Sequence, residues 1–179
     1  MIGTNAHLII TMSTVSEMAT MSDYEKVRDF TIQAGQHVTD KPTKLDKEEV
    51  RFLLRMCLSE MQELALTVTD SVEESVEMLN DCMKTIDKSA HEQLTTDTQV
   101  IAAQADAVVD SWYYCCNAFA KKSVDLSSVF DTVHEANMAK RDPKTMKFNK
   151  REDGKILKPE GWMPPDIEAE IARQQELLK

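Results

Sequence analysis

Apolar residues recur three and four positions apart through most of this chain, and that period admits helices and little else. Strand-like alternation with a period of two is not sustained, and only 4 glycines and 5 prolines interrupt 179 residues. The fold expected is all-α, a helical bundle. A chain of this length can bury one real core but not two comfortable ones, so a single domain over residues 22–179 is expected. Residues 1–21 read as a disordered N-terminal extension. Their apolar run, His7 to Thr11, has no basic residue before it and is too short for a signal or a membrane span.

Capping signals divide the rest. SDYE at Ser22 is a capping box that opens a first helix, which Gly35 should end. Asp46 with Glu49 starts a second helix, running to about Thr67 past Pro42. Asp70 begins a third, with Val72, Val76, Met78, Leu79, Met83 and Ile86 apolar and a solvated acidic side. The pattern lapses between Asp87 and Thr98, a loop. A fourth and longest helix follows to Lys121, with Ile101, Val108, Trp112, Cys115 and Phe119 towards the core. Asp125 opens a fifth, DLSSVFDTVHEANMAK, and Pro165 with Asp166 a last short one.

Chemistry concentrates on the second and fourth helices. Along VRFLLRMCLSEMQEL, the residues Val50, Leu53, Leu54, Cys57, Met61 and Leu64 form an apolar face, and Glu60 and Glu63 stand side by side just past its edge. The fourth helix carries Asp106, Asp110 and Asn117 in one row, flanked by Tyr113 and Tyr114. Four carboxylates gathered in one cleft would repel by a few kcal/mol per pair even at an effective dielectric of about 20, so a cation is expected between them. Hard oxygen donors without histidine or thiolate favour Mg²⁺, or Mn²⁺, over zinc. Asp131 with His134 resembles half of a di-iron helix motif, but it has no second copy and uses Asp for Glu. The plain alternative for each acidic pair is a helix edge turning polar.

The formal net charge of −10 argues against a nucleic-acid polymer as partner, whereas the basic stretch from Lys140 to Lys158 suits a small phosphorylated ligand. The four cysteines form no CxxC pair or metal-finger spacing. They read as reduced, mostly buried thiols in a cytoplasmic protein, with no membrane involved.

The order SEMQEL, ADAVVDSWYY, VFDTVHEANMAK and KREDGKILKPEGWMPPDI resembles the MazG-like, phosphoribosyl-ATP-pyrophosphohydrolase-like branch of the all-α NTP pyrophosphohydrolases, relatives of the dimeric dUTPases. The resemblance covers roughly Tyr24 to Ile167. It implies a homodimer or dimer of dimers that uses Mg²⁺ to cleave a nucleoside triphosphate between its α and β phosphates. Its first acidic motif falls on Glu60 and Glu63, which would bind metal and orient the attacking water, and Asp110 is the Asp of its second. Ser59 stands where relatives write a leading Glu, and Ala107 where the second motif has its Glu, so Asp106 is the candidate replacement. The resemblance further implies Lys140, Arg151 and Lys155 as ligands of the β and γ phosphates. Asn137, Asn117, Tyr113 and Tyr114 would read or stack on the base, with simple helix edges as the alternative.

The function expected is therefore nucleotide-pool housekeeping on dUTP, dCTP or a non-standard NTP. Ser59 and Ala107 keep open a non-catalytic bundle that binds nucleotide or protein. A phosphoribosyl nucleotide is a third candidate substrate.

Overall fold

Helices begin where a side chain can satisfy the free amides of a first turn, and the structure, a computed structural model describing residues 21–89, 93–152 and 154–177, follows that rule closely. Helix α1, Asp23–Gln33, opens on the expected capping box. The Glu25 N–H donates to the Ser22 hydroxyl, and the Ser22 N–H donates to the Glu25 carboxylate at 2.8 Å. Just past its end Gly35 turns the chain at φ 64°, a left-handed conformation that costs glycine little. Helix α2, Lys47–Leu66, is capped by Asp46, whose carboxylate accepts from the Glu48 and Glu49 N–H groups at 2.8 and 2.9 Å.

Helix α3, Val72–Lys84, is capped by Ser71 and not by Asp70. The Ser71 hydroxyl accepts the Glu74 N–H, while the Asp70 backbone N–H donates to the Glu74 carboxylate, so Asp70 lies outside the cap and tightens it. Helix α4, Asp97–Ala120, α5, Leu126–Met138, and α6, Ile167–Leu177, complete the set. Asp125 caps α5 through the Ser127 N–H, and Asp166 accepts the Ala169 N–H in the first turn of α6. The described residues contain these six helices, no extended strand and no helix long and apolar enough to cross a membrane. The N-terminal extension expected up to residue 21 lies, except for its last residue, outside the described residues.

The chain forms two compact units. One is built from the described residues up to Asp40 together with those from Trp112 onward; the other is Lys41–Ser111. In the second unit α2 packs on α3, where Ala65 is buried and Ser75 is fully enclosed. Small side chains at such a crossing let two backbones approach, and the Gln62 amide reaches the Ser75 hydroxyl at 3.5 Å. The start of α4 is tied to the segment before α2 by Lys44–Asp97 at 2.6 Å and by Gln104. The Gln104 amide both accepts the Leu45 N–H and donates to the Leu45 carbonyl, each at 2.9 Å.

In the first unit α5 is central, with α1 and α6 packed against it. Met138, His134 and Ala34 are buried there. The Gln174 side chain holds α6 to the start of α5 by bonding both the N–H and the carbonyl of Asp125. After α5 the chain doubles back twice, pairing Arg141 with Phe148 antiparallel across residues 142–147, where the Asp142 N–H donates to the Lys147 carbonyl at 2.8 Å, and then Lys150 with Ile156. Phe148 meets Phe30 edge to face at 5.1 Å.

The buried apolar interior is smaller than the sequence pattern suggests. Leu54, Leu64, Val108 and Trp112, expected in a core, are each about half exposed. Cys57 and Cys82 are exposed and Cys115 and Cys116 half-buried, so the four thiols are free as expected but not buried. The reason is geometric: α2 is apolar nearly all the way round, and α3 covers only one side of it.

Candidate functional site

Helical phase decides where the acidic pairs point. On α2, Gln62 and Ala65 face α3, and Glu60 and Glu63 each stand two residues before one of them, about 200° away around the helix. On α4, Gln104 faces the segment leading to α2, and Asp106 stands two residues after it, again on the opposite side; Asp110 follows one turn later. All four carboxylates are exposed.

Their oxygens are the hard donors that Mg²⁺ and Mn²⁺ prefer, so the donor type fits such a metal. Their placement within one chain does not: among the described residues no three His, Cys, Asp or Glu side chains come close enough to hold a metal ion. The cluster that the spacing suggests is thus not assembled by a single copy. What a single copy does present is two exposed acidic helix faces. Glu60 and Glu63 share theirs with exposed Leu53, Met56 and Leu64. Asp106 and Asp110 share theirs with Val109, Tyr113 and Asn117, of which Val109 and Tyr113 are 61% and 71% exposed. Tyr114, at 72% exposure, lies beside this row.

The iron reading gains nothing. Asp131 accepts a 2.6 Å hydrogen bond from the Lys26 ammonium, and His134 is buried with its ring parallel to Phe130. Burial, and then the Lys26 charge, hold His134 below its ordinary pKa, so it is a packed neutral histidine.

The basic residues are better organised. At the end of α5 the Lys140 ammonium donates to the Asn137 side-chain oxygen at 2.7 Å, and both residues are half-buried. Burial lowers the Lys140 pKa, and the charges of Lys158 and Lys155 lower it further. Arg151 and Lys155 sit on the exposed turn that follows, where the Arg151 N–H donates to the Lys155 carbonyl at 2.9 Å. Two residues the sequence reading passed over complete this corner. The Trp162 ring lies 4.2 Å from the Lys158 ammonium and 5.5 Å from that of Lys140, and its N–H donates to the Ala136 carbonyl at 2.8 Å. The signal was the KPEGW segment: a turn ending in Gly-Trp folds a lysine back towards the indole.

A 480 Å³ hollow elsewhere, lined by Lys47, Val50, Arg51, Leu54, Arg55 and Leu58, belongs to α2 alone and lies far round that helix from Glu60 and Glu63.

Comparison with known proteins agrees with the fold. Residues 27–137 match the family model described as phosphoribosyl-ATP pyrophosphohydrolase. The crystal structure of a "putative NTP pyrophosphohydrolase" from Exiguobacterium sp. 255-15 superposes with a TM-score of 0.73 at 25% identity, covering 87% of this chain and 97% of that one. No curated protein matches the chain significantly. The matched span contains α2, α3, α4 and nearly all of α5, and so Glu60, Glu63, Asp106, Asp110 and Asp131; the chain belongs to the phosphoribosyl-ATP pyrophosphohydrolase family, and it is a pyrophosphohydrolase.

Proposed function

We propose that this pyrophosphohydrolase acts on nucleoside triphosphates with Mg²⁺, as a homodimer or dimer of dimers, cleaving between the α and β phosphates. The observation that carries the reading is that both acidic pairs lie on helix faces that the chain leaves open, each beside exposed apolar residues. A face of Leu53, Met56 and Leu64 around two glutamates is suited to being covered by a second copy, which would bring further carboxylates close without exposing the leucines to water.

The chain's own part in the reaction follows from its residues. A water attacks the α phosphorus, a new P–O bond forms, and the bond to the bridging oxygen breaks, releasing a nucleoside monophosphate and pyrophosphate. Glu60 or Glu63 takes the proton that the water loses, as a carboxylate general base. Lys140, Arg151 and Lys155 meet the charge on the β and γ phosphates, and Asn137 holds Lys140 in place for this. Asn117, Tyr113 and Tyr114 contact the base. Mg²⁺, with Mn²⁺ as substitute, enters the reading as the counter-charge that gathered carboxylates require. Four free thiols suit a cytoplasmic setting.

dUTP, dCTP or a non-standard NTP is the substrate class favoured here, in nucleotide-pool housekeeping. A phosphoribosyl nucleotide is the second reading, favoured by the description of the matching family. A panel of NTPs, dNTPs and phosphoribosyl-ATP, incubated with Mg²⁺ and assayed for pyrophosphate, separates the two. Release from triphosphates supports the first, release from phosphoribosyl-ATP alone the second, and release from neither removes both.

A further inference from the structure

In a chain with 31 acidic against 21 basic residues, Lys140, Lys155 and Lys158 stand near one another. The charges of Lys158 and Lys155 bear directly on Lys140, and two of the three ammonium groups approach one indole. Neither Lys140 nor Lys158 forms an ion pair among the described residues: Lys140 bonds the neutral Asn137 amide, and Lys158 meets only the ring. Mutual repulsion of this kind disperses flexible side chains unless something holds them.

Here the backbone does the holding. The Trp162 N–H donates to the Pro159 carbonyl at 3.1 Å, closing a four-residue turn whose third residue, Gly161, has φ 75°, as a type II turn demands. That turn returns Lys158 over the indole of Trp162. The indole is itself pinned to the last turns of α5 by its bond to the Ala136 carbonyl, one residue from Asn137. The aromatic face holds each cation by its quadrupole without neutralising it. The result is a half-buried Lys140 and an exposed Lys158 fixed on one platform with their charges unspent.

We propose that Lys140, Lys158 and Trp162 form an anion site for a linear phosphate chain, with Lys158 a phosphate-contacting residue and Trp162 its positioning residue. A chain of two or three phosphates offers several separated anionic oxygens, and so engages both ammonium groups at once. A single phosphate or sulfate brings less charge and fewer oxygens to the same pair. The site is the triphosphate-tail end of the reaction proposed above and rests on that reading for its role. Its existence as an anion site does not.

The test uses the full chain with Trp112→Phe, so that Trp162 is the only indole, titrated with inorganic tripolyphosphate in EDTA, with sulfate at equal ionic strength as control. The expected result is a saturable change in Trp162 emission that sulfate does not produce. Lys158→Gln should weaken it about tenfold or more, and Lys158→Arg, which keeps the charge, should restore it to within about threefold. Gly161→Val, which strains the turn but removes no charge, should weaken it as well, with unchanged helical circular dichroism confirming the fold. No emission change, or one that Lys158→Gln leaves alone, overturns the site even if nucleotides are hydrolysed. Tripolyphosphate binding without nucleotide hydrolysis keeps the site and removes only the proposed reaction.

Discussion

Lys26 on α1 and Asp131 on α5 are joined at 2.6 Å, although the lysine side chain is only 11% exposed and the aspartate is 52% exposed. The pair is therefore unequal: nearly all the desolvation falls on the cation. Removing the carboxylate leaves a buried ammonium with only the more distant Asp23, 4.0 Å away, whereas removing the ammonium leaves an aspartate that water can still reach. Asp131→Asn is expected to cost about 2 kcal/mol in denaturant unfolding, and Lys26→Met less than about 1 kcal/mol. Equal losses from the two would contradict this division.

The same corner sets a pH response. His134 is held below its ordinary value of 6.5 by burial and then by Lys26, with Asp131, Asp29 and Glu135 pulling the other way. The folded chain then binds this proton less tightly than the unfolded chain does. Its contribution to stability is complete above pH 6.5 and is lost as the pH falls from there through the folded value. Melting temperatures measured from pH 7.5 to pH 5 should fall, and His134→Gln should flatten that fall. An unchanged slope would show that the histidine is not the group titrating.

At the crossing of α2 and α3, Ser75 is fully enclosed, its hydroxyl donating to the Val72 carbonyl at 2.7 Å. No room remains for a longer side chain. Ser75→Leu should destabilise the chain by roughly 1–3 kcal/mol through overpacking, while Ser75→Ala stays within about 1 kcal/mol. A tolerated leucine in thermal unfolding would mean that the crossing yields easily.

Self-association follows from α2, on which Phe52 and Leu54 are each 57% exposed and Leu64 50%. An apolar helix of this kind stays in water only when something covers it. Sedimentation is expected to give two or more copies per particle, and Leu53→Glu with Leu64→Glu to shift it towards one copy and to reduce turnover with it. A wild-type monomer that turns over nucleotide would contradict the proposed covering of the acidic face.

The helices were legible because their signals are local: SDYE, Asp46 with Glu49, and Asp125 each act within one turn of the chain. Asp70 misled by a single residue, since Ser71 beside it is an equally good cap and only the reach of the Glu74 side chain separates them. Burial was less legible. Periodicity states that Leu54 and Cys57 need cover, but not whether the same copy provides it. For the same reason the sequence could place Glu60 beside Glu63 on one helix, yet could not say that α3 would occupy the opposite side. The Lys158–Trp162 contact depended on a turn closed at Gly161, and in sequence it looked like an irregular basic tail.

The most direct test compares pyrophosphate release by wild type and Glu60→Gln on a panel of nucleoside triphosphates with Mg²⁺. If Glu60 serves the attacking water, the variant, folded and equally associated, should lose about 100-fold or more in kcat/KM. Release of pyrophosphate by the variant at the wild-type rate would contradict the assignment of the reaction to this face of α2.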